Sequence, residues 1–159
     1  MKYRAIILYG PSGVGKTRVA AFLSEKYGFK HADTDSFMLL FSPKRSRERS
    51  EIGQKLCYTY ASELVKRGLP VIIEALGPRY LNLLQKKLRA NNYAIDEISL
   101  DAPLAFCIKN DRYRNKRDLG ARVVKKVYEK YRSTKGYCFD TSKKKPQSLL
   151  REIEKVLRL

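Results

Sequence analysis

The stretch Gly10-Pro11-Ser12-Gly13-Val14-Gly15-Lys16-Thr17 has the spacing G-x-x-x-x-G-K-[ST]. Its glycines allow backbone N–H groups to turn inward around phosphate oxygens, an approach that side chains would block. A lysine in the seventh position carries a positive charge to the β- and γ-phosphates. A threonine hydroxyl after it suits Mg²⁺. Arg18 completes a candidate nucleotide-binding segment, 10–18. The chemistry implied is nucleotide binding, and motors, switches and transferases all share it.

Transfer of a phosphoryl group to a hydroxyl needs a base that orients the acceptor oxygen and takes its proton. His31-Ala32-Asp33-Thr34-Asp35 offers two carboxylates after a short β-prone run. Asp35 is the candidate base. Asp33 could hold an acceptor hydroxyl or a Mg²⁺-bound water, or could only cap the helix that follows. Glu74 closes another apolar run, and Arg79 follows the Gly77-Pro78 turn; both are candidates for the acceptor side. Lys109 to Arg117 reads KNDRYRNKR. Arginines there (Arg112, Arg114 and Arg117) could neutralise charge developing on a phosphoryl group in transfer.

These residues need a frame that gathers them. Residues 3–9 and 70–74 are predominantly apolar, as strands are when both sheet faces are covered. Residues 29–32, 95–100 and 137–139 read as further strands. Helical spacing of apolar residues marks 16–27, 51–67, 79–90, 103–110, 121–132 and the segment from Pro146 onward. A helix could also begin within 36–41, while 42–51 (SPKRSRERSE) reads as a polar, mobile connection. Val124, Tyr128 and Tyr131 have core spacing on one helix. Strands alternating with helices predict an α/β fold: a five-stranded parallel sheet in a three-layer arrangement, with helices on both faces. Ligands of such sheets bind beyond the carboxyl ends of the strands, where the glycine-rich loop, Asp35 and Glu74 fall. No linker divides the chain, so one domain over 1–159 is expected.

The chain has 159 residues, 34 Lys+Arg and 16 Asp+Glu, a net charge of +18. Such an excess favours a polyanionic partner, most simply nucleic acid. The excess concentrates in 109–145, with 14 Lys+Arg against four acids and Tyr113, Tyr128, Tyr131 and Tyr137 interleaved. That mixture suits a single strand, through backbone charge and base stacking. A second basic cluster is Lys44, Arg45, Arg47 and Arg49. Cys57, Cys107 and Cys138 form no C-x-x-C pair, and His31 is the only histidine, which argues against a structural zinc site. Widely spaced thiols suit a reducing, cytoplasmic setting. No apolar run reaches membrane-spanning length, and no signal peptide is expected.

The chain resembles a small P-loop kinase of the group that includes polynucleotide 5′-hydroxyl kinases, zeta toxins, gluconate kinases and shikimate kinases. GPSGVGKT stands for the group's phosphate loop, and Gly28-Phe29 followed by Asp35 resembles the segment bearing the general base. Glu74-Ala75 with Pro78-Arg79, Asp101-Ala102-Pro103, Lys109 with Arg114, and FDTS at 139–142 resemble the remaining landmarks. The resemblance implies a P-loop kinase fold with an arginine-rich lid at about 109–120, ATP and Mg²⁺ as cofactors, and catalytic roles for Lys16, Asp35, Arg112 and Arg114. The polynucleotide kinase pattern carries an arginine three residues after the base, where this chain has Met38, and a lid arginine where it has Asn110. The glycine triplet of shikimate kinases is absent after Glu74. The expected activity is phosphoryl transfer from ATP to a hydroxyl, with a nucleic-acid 5′-hydroxyl preferred. A sugar, sugar acid or nucleoside kinase is the alternative, and a nucleotide-gated nucleic-acid-binding protein without transfer is the third reading. N-K-x-D is missing, which disfavours a GTPase switch.

Overall fold

The computed structural model describes residues 3–113 and 119–159. Five strands, β1 (Arg4–Tyr9), β2 (Lys30–Asp33), β3 (Val71–Glu74), β4 (Ala94–Asp101) and β5 (Tyr137–Asp140), form one parallel sheet in the order β2-β3-β1-β4-β5. Seven helices accompany them among the described residues: α1 (Lys16–Tyr27), α2 (Thr34–Phe41), α3 (Arg47–Lys66), α4 (Pro78–Ala90), α5 (Leu104–Arg112), α6 (Ala121–Tyr131) and α7 (Pro146–Leu157). The α/β class and the five-stranded parallel sheet expected from the apolar runs are what the chain forms.

The chain divides into two compact units, Met1–Ile7 with Leu23–Asp96, and Leu8–Phe22 with Glu97–Leu159. In the first, β2 and β3 run in register with His31 opposite Ile72 and Asp33 opposite Glu74. All four residues of β3 are buried, as expected of a strand covered on both faces. Helix α3 starts earlier than apolar periodicity predicts. Ser46 caps it, accepting a hydrogen bond from the Arg49 N–H at 3.0 Å. A serine cap outweighs the lack of apolar residues in the first turn, so much of the stretch expected to be mobile is helix. Helix α2 packs on α3 at Gly53, where an added Cβ would lie 2.4 Å from Met38 Cγ and 2.9 Å from its Cα.

In the second unit β4 and β5 pair from Ile98 opposite Tyr137 to Asp101 opposite Asp140. Helix α6 buries Val124 and Tyr128, and the Tyr128 hydroxyl donates to the Ala102 carbonyl at 2.5 Å. Tyr131 shares their spacing but is half exposed, so of the two tyrosines only Tyr128 is core. Helix α7 turns Leu149, Ile153 and Leu157 inward, an i, i+4, i+8 stripe.

Candidate functional site

The glycine-rich loop leaves β1 and enters α1 at Lys16. Two of its glycines are required by contact as well as by conformation. Gly10 (φ 139) would place a Cβ 2.3 Å from the Leu100 carbonyl oxygen, and Gly13 (φ 78) would place one 2.1 Å from that of Cys107. No other residue fits without moving backbone. Pro11 and Val14 are buried and hold the loop to the core. Lys16 Nζ donates to the carbonyls of Gly10 and Pro11, both at 3.0 Å, which folds the ammonium back over the loop. Thr17 and Arg18 are exposed in the first turn of α1. That first turn supplies orphan N–H groups and the positive end of a twelve-residue helix dipole. The donor set of the loop and helix N-terminus therefore fits an anionic group such as a phosphate.

Helix α5 braces this loop through residues that sequence reasoning did not assign. Cys107, Asn110 and Asp111 share one helical face by their i, i+3, i+4 spacing. Asn110 Nδ2 donates to the Gly13 carbonyl at 3.0 Å. Asp111 is 1% exposed; its Oδ1 accepts from Ser12 Oγ at 3.3 Å, and its Oδ2 from the N–H groups of Leu119 and Gly120 at 2.7 and 3.0 Å. Asn110, which stands where the resembled family has a lid arginine, thus serves the loop's backbone. Residues 109–112, at the start of the expected lid, complete α5, with Arg112 exposed at its end. Arg114 and Arg117 lie outside the described residues.

The acceptor-side candidates belong to the first unit. Asp33 ends β2 and is the N-cap of α2, accepting from the Asp35 N–H at 3.0 Å and from Ser36 Oγ at 2.5 Å. The capping role considered for it is therefore real, and it occupies both carboxylate oxygens. Asp35 stands in the first turn of α2, half-buried, a favourable place for a carboxylate against the helix dipole. Glu74, 3% exposed, faces Asp33 across the strand pair and is bound by His31 Nε2 at 3.0 Å. That pairing was missed, although His31, Asp33 and Glu74 fall on one face by strand alternation. Burial, with the Asp33 and Glu74 carboxylates adding to it, pushes the Cys57 thiol up to about 11, a hydrogen bond with Thr34 notwithstanding. Directly after Glu74, Ala75 takes a left-handed conformation (φ 59), the kind of local strain that collects at functional sites. Beyond it, the Gly77 N–H donates to Gln54 Oε1 at 2.6 Å. This fixes the start of α4 beside a cleft of about 560 Å³ lined by Gln54, Lys55, Arg79 and Tyr80 among others. Among the described residues no cluster of His, Cys, Asp or Glu could hold a metal ion by itself, and no helix is long and apolar enough to cross a membrane.

No protein-family model matches the chain. A 65-residue stretch is 35% identical to an adenylate kinase of Mycoplasmopsis pulmonis, covering 41% of this chain and 26% of that protein. The chain thus spans about a quarter of that relative's length. Among solved structures, a sugar kinase from Janibacter sp. HTCC2649 superposes with a TM-score of 0.68 at 18% identity, over 98% of this chain and 94% of the other. Mycobacterium tuberculosis APS kinase CysC in complex with AMPPNP and APS gives 0.66 at 18% identity over 99% of both chains. A chain of the Pnkp1/Rnl/Hen1 complex gives 0.55 at 21% identity, over 69% of this chain and 39% of that one. The fold is therefore one that kinases use.

Proposed function

We propose that this chain is a single-domain, ATP- and Mg²⁺-dependent phosphotransferase acting on an alcohol hydroxyl. The observation that carries the reading is the loop 10–17: glycines at positive φ, a lysine folded over them, and a helix dipole behind. The kinase fold of its structural neighbours and the local likeness to an adenylate kinase support it. Bound MgATP would supply the γ-phosphoryl group and neutralise its charge. Lys16 and the loop N–H groups would hold the phosphates, and Thr17 the metal. Asp35 would accept the proton of the attacking hydroxyl. Asp33 would orient Asp35 through its N–H, and Glu74 and Arg79 would border the acceptor, with Arg79 suited to an anionic group. Arg112 and Arg114 would meet charge developing on the transferred phosphoryl. Three widely spaced thiols accord with a reducing, cytoplasmic compartment.

For the acceptor we favour a nucleic-acid 5′-hydroxyl, on the strength of the +18 charge. A small-molecule acceptor is the second reading. It is favoured by the neighbours that match nearly the whole chain, a sugar kinase and an APS kinase. Incubation with γ-labelled ATP and either 5′-hydroxyl oligonucleotides or a panel of sugars, sugar acids and nucleosides decides between them. Label in the metabolite fraction alone refutes the first reading. The Asp35→Ala variant is expected to lose transfer by at least a hundredfold, the usual scale of a positioned base, while retaining ATP binding. Undiminished turnover removes Asp35 from the mechanism.

A further inference from the structure

We propose that the outer face of α6 and the turn leading into β5 form a docking surface for single-stranded nucleic acid. It extends the nucleic-acid reading of the acceptor but does not require that the chain transfer phosphate. Arg122, Lys126 and Lys130 are all exposed and recur every four residues, with exposed Lys125 beside them. Val124 and Tyr128 anchor the opposite side in the core. Four residues of helix advance about 6 Å, so a strand laid along α6 can meet a cation with successive phosphates. A single strand in that position has unpaired bases, which can stack on aromatic faces.

Two such faces stand where the helix ends. Tyr131 is 51% and Tyr137 46% exposed, and they bracket the connection 132–136. That connection is fixed rather than floppy. The Arg132 guanidinium grips the Asp101 carboxylate through two nitrogens, at 3.1 and 2.6 Å, and Ser99 Oγ donates to the Lys135 carbonyl at 2.7 Å. The one acid on the helix's outer face, Glu129, lies 3.7 Å from Arg132 and so is partly neutralised within the surface. Lys130 Nζ sits 5.7 Å from the Tyr131 ring centroid, joining a phosphate contact to a stacking platform. The composition argues against a protein partner. A protein interface has an apolar core depleted in charge, whereas this face carries four exposed cations along its length.

The test uses the intact chain, without ATP, and labelled oligo-dT and oligo-U whose 5′ ends are already phosphorylated. No acceptor hydroxyl is then offered at that end, and a failed kinase reading leaves the outcome intact. Anisotropy is followed across a salt titration. The triple variant Lys125→Ser, Lys126→Ser, Lys130→Ser should bind at least tenfold more weakly at low salt. Its log–log salt slope should be shallower by about 2, three contacts at ~0.7 each. Tyr131→Ala and Tyr137→Ala should each weaken binding roughly tenfold with the slope unchanged. A control triple on the other unit, Lys30→Ser, Lys86→Ser, Arg89→Ser, should bind like the parent. Equal weakening by the control, or tyrosine variants indistinguishable from the parent, overturns the proposal and leaves only general polyanion attraction. So does inorganic polyphosphate binding as tightly as the oligonucleotides.

Discussion

Replacing Asp111 tests whether α5 holds the phosphate loop. The carboxylate accepts two backbone hydrogen bonds, from Leu119 and Gly120, and a longer one from Ser12. Hydrogen bonds to a charged partner contribute about 1.5–3 kcal/mol each. Leu119 and Gly120 are only partly buried, so water recovers part of the loss. The Asp111→Ala variant should therefore lose about 2–4 kcal/mol. For a chain of this length that is a fall of about 5–15 °C in Tm. Asp111→Asn keeps an acceptor oxygen for both N–H groups and loses only the charge. It should lose about 1 kcal/mol and a few degrees. Because Ser12 lies within the nucleotide-binding stretch, the two variants should also separate in binding. The alanine variant is expected to raise the Kd for a fluorescent ATP analogue several-fold, and the asparagine variant to leave it near the parent value. Thermal unfolding and a binding titration measure both. An alanine variant melting within a degree of the parent, or both variants binding nucleotide alike, refutes the bracing role.

Two further outcomes follow from close packing and from burial. Gly13→Ala must displace either the loop or α5, since its Cβ would overlap the Cys107 carbonyl at a φ that disfavours side chains; ATP binding should fall at least tenfold, and parent-like affinity would mean the loop is looser than its geometry. Burial pushes the thiols of Cys57 and Cys107 up to about 11 from an ordinary 9.0, while Cys138 is exposed, so the native protein should react with one equivalent of a thiol reagent at pH 8 and with three after denaturation. With the folded values above the unfolded one, the stability these thiols contribute is complete below pH 9 and drains away between pH 9 and 11, visible as a falling denaturation midpoint.

What was legible in the sequence followed from strong local signals. The loop 10–17 needs glycine for conformational reasons that a spacing rule captures, and β3 announces itself by four consecutive apolar or end-of-strand residues. Asp33 was legible as either a ligand or a cap, and its contacts with Asp35 and Ser36 show the cap. The start of α3 was hidden because a cap is one polar residue among many, and Ser46 sits in a run of charges that reads as loop. The His31–Glu74 pair depends on the register of two strands 40 residues apart, which no local pattern encodes. Asp111 was hidden for a related reason. Its partners Ser12, Leu119 and Gly120 meet it only once α5 has docked, and in the sequence it is one acid among surrounding cations.

The same distinction explains Met38, where the resembled family carries an arginine. A departure from a pattern shows in the sequence; its cause lies in helix packing. Gly53 lets α2 approach α3 until the Met38 main chain would touch even a methyl group on the facing residue. At that distance the side chain at 38 must lie along the contact, which a thin, unbranched thioether does without strain. Met38 is half-buried, so an arginine in its place would keep its aliphatic stem in the contact and send its guanidinium toward solvent. Position 38 thus serves the packing of α2 on α3. Arg79 and Lys55, both exposed, line the cleft at the start of α4 and bring to it the positive charge that Met38 does not.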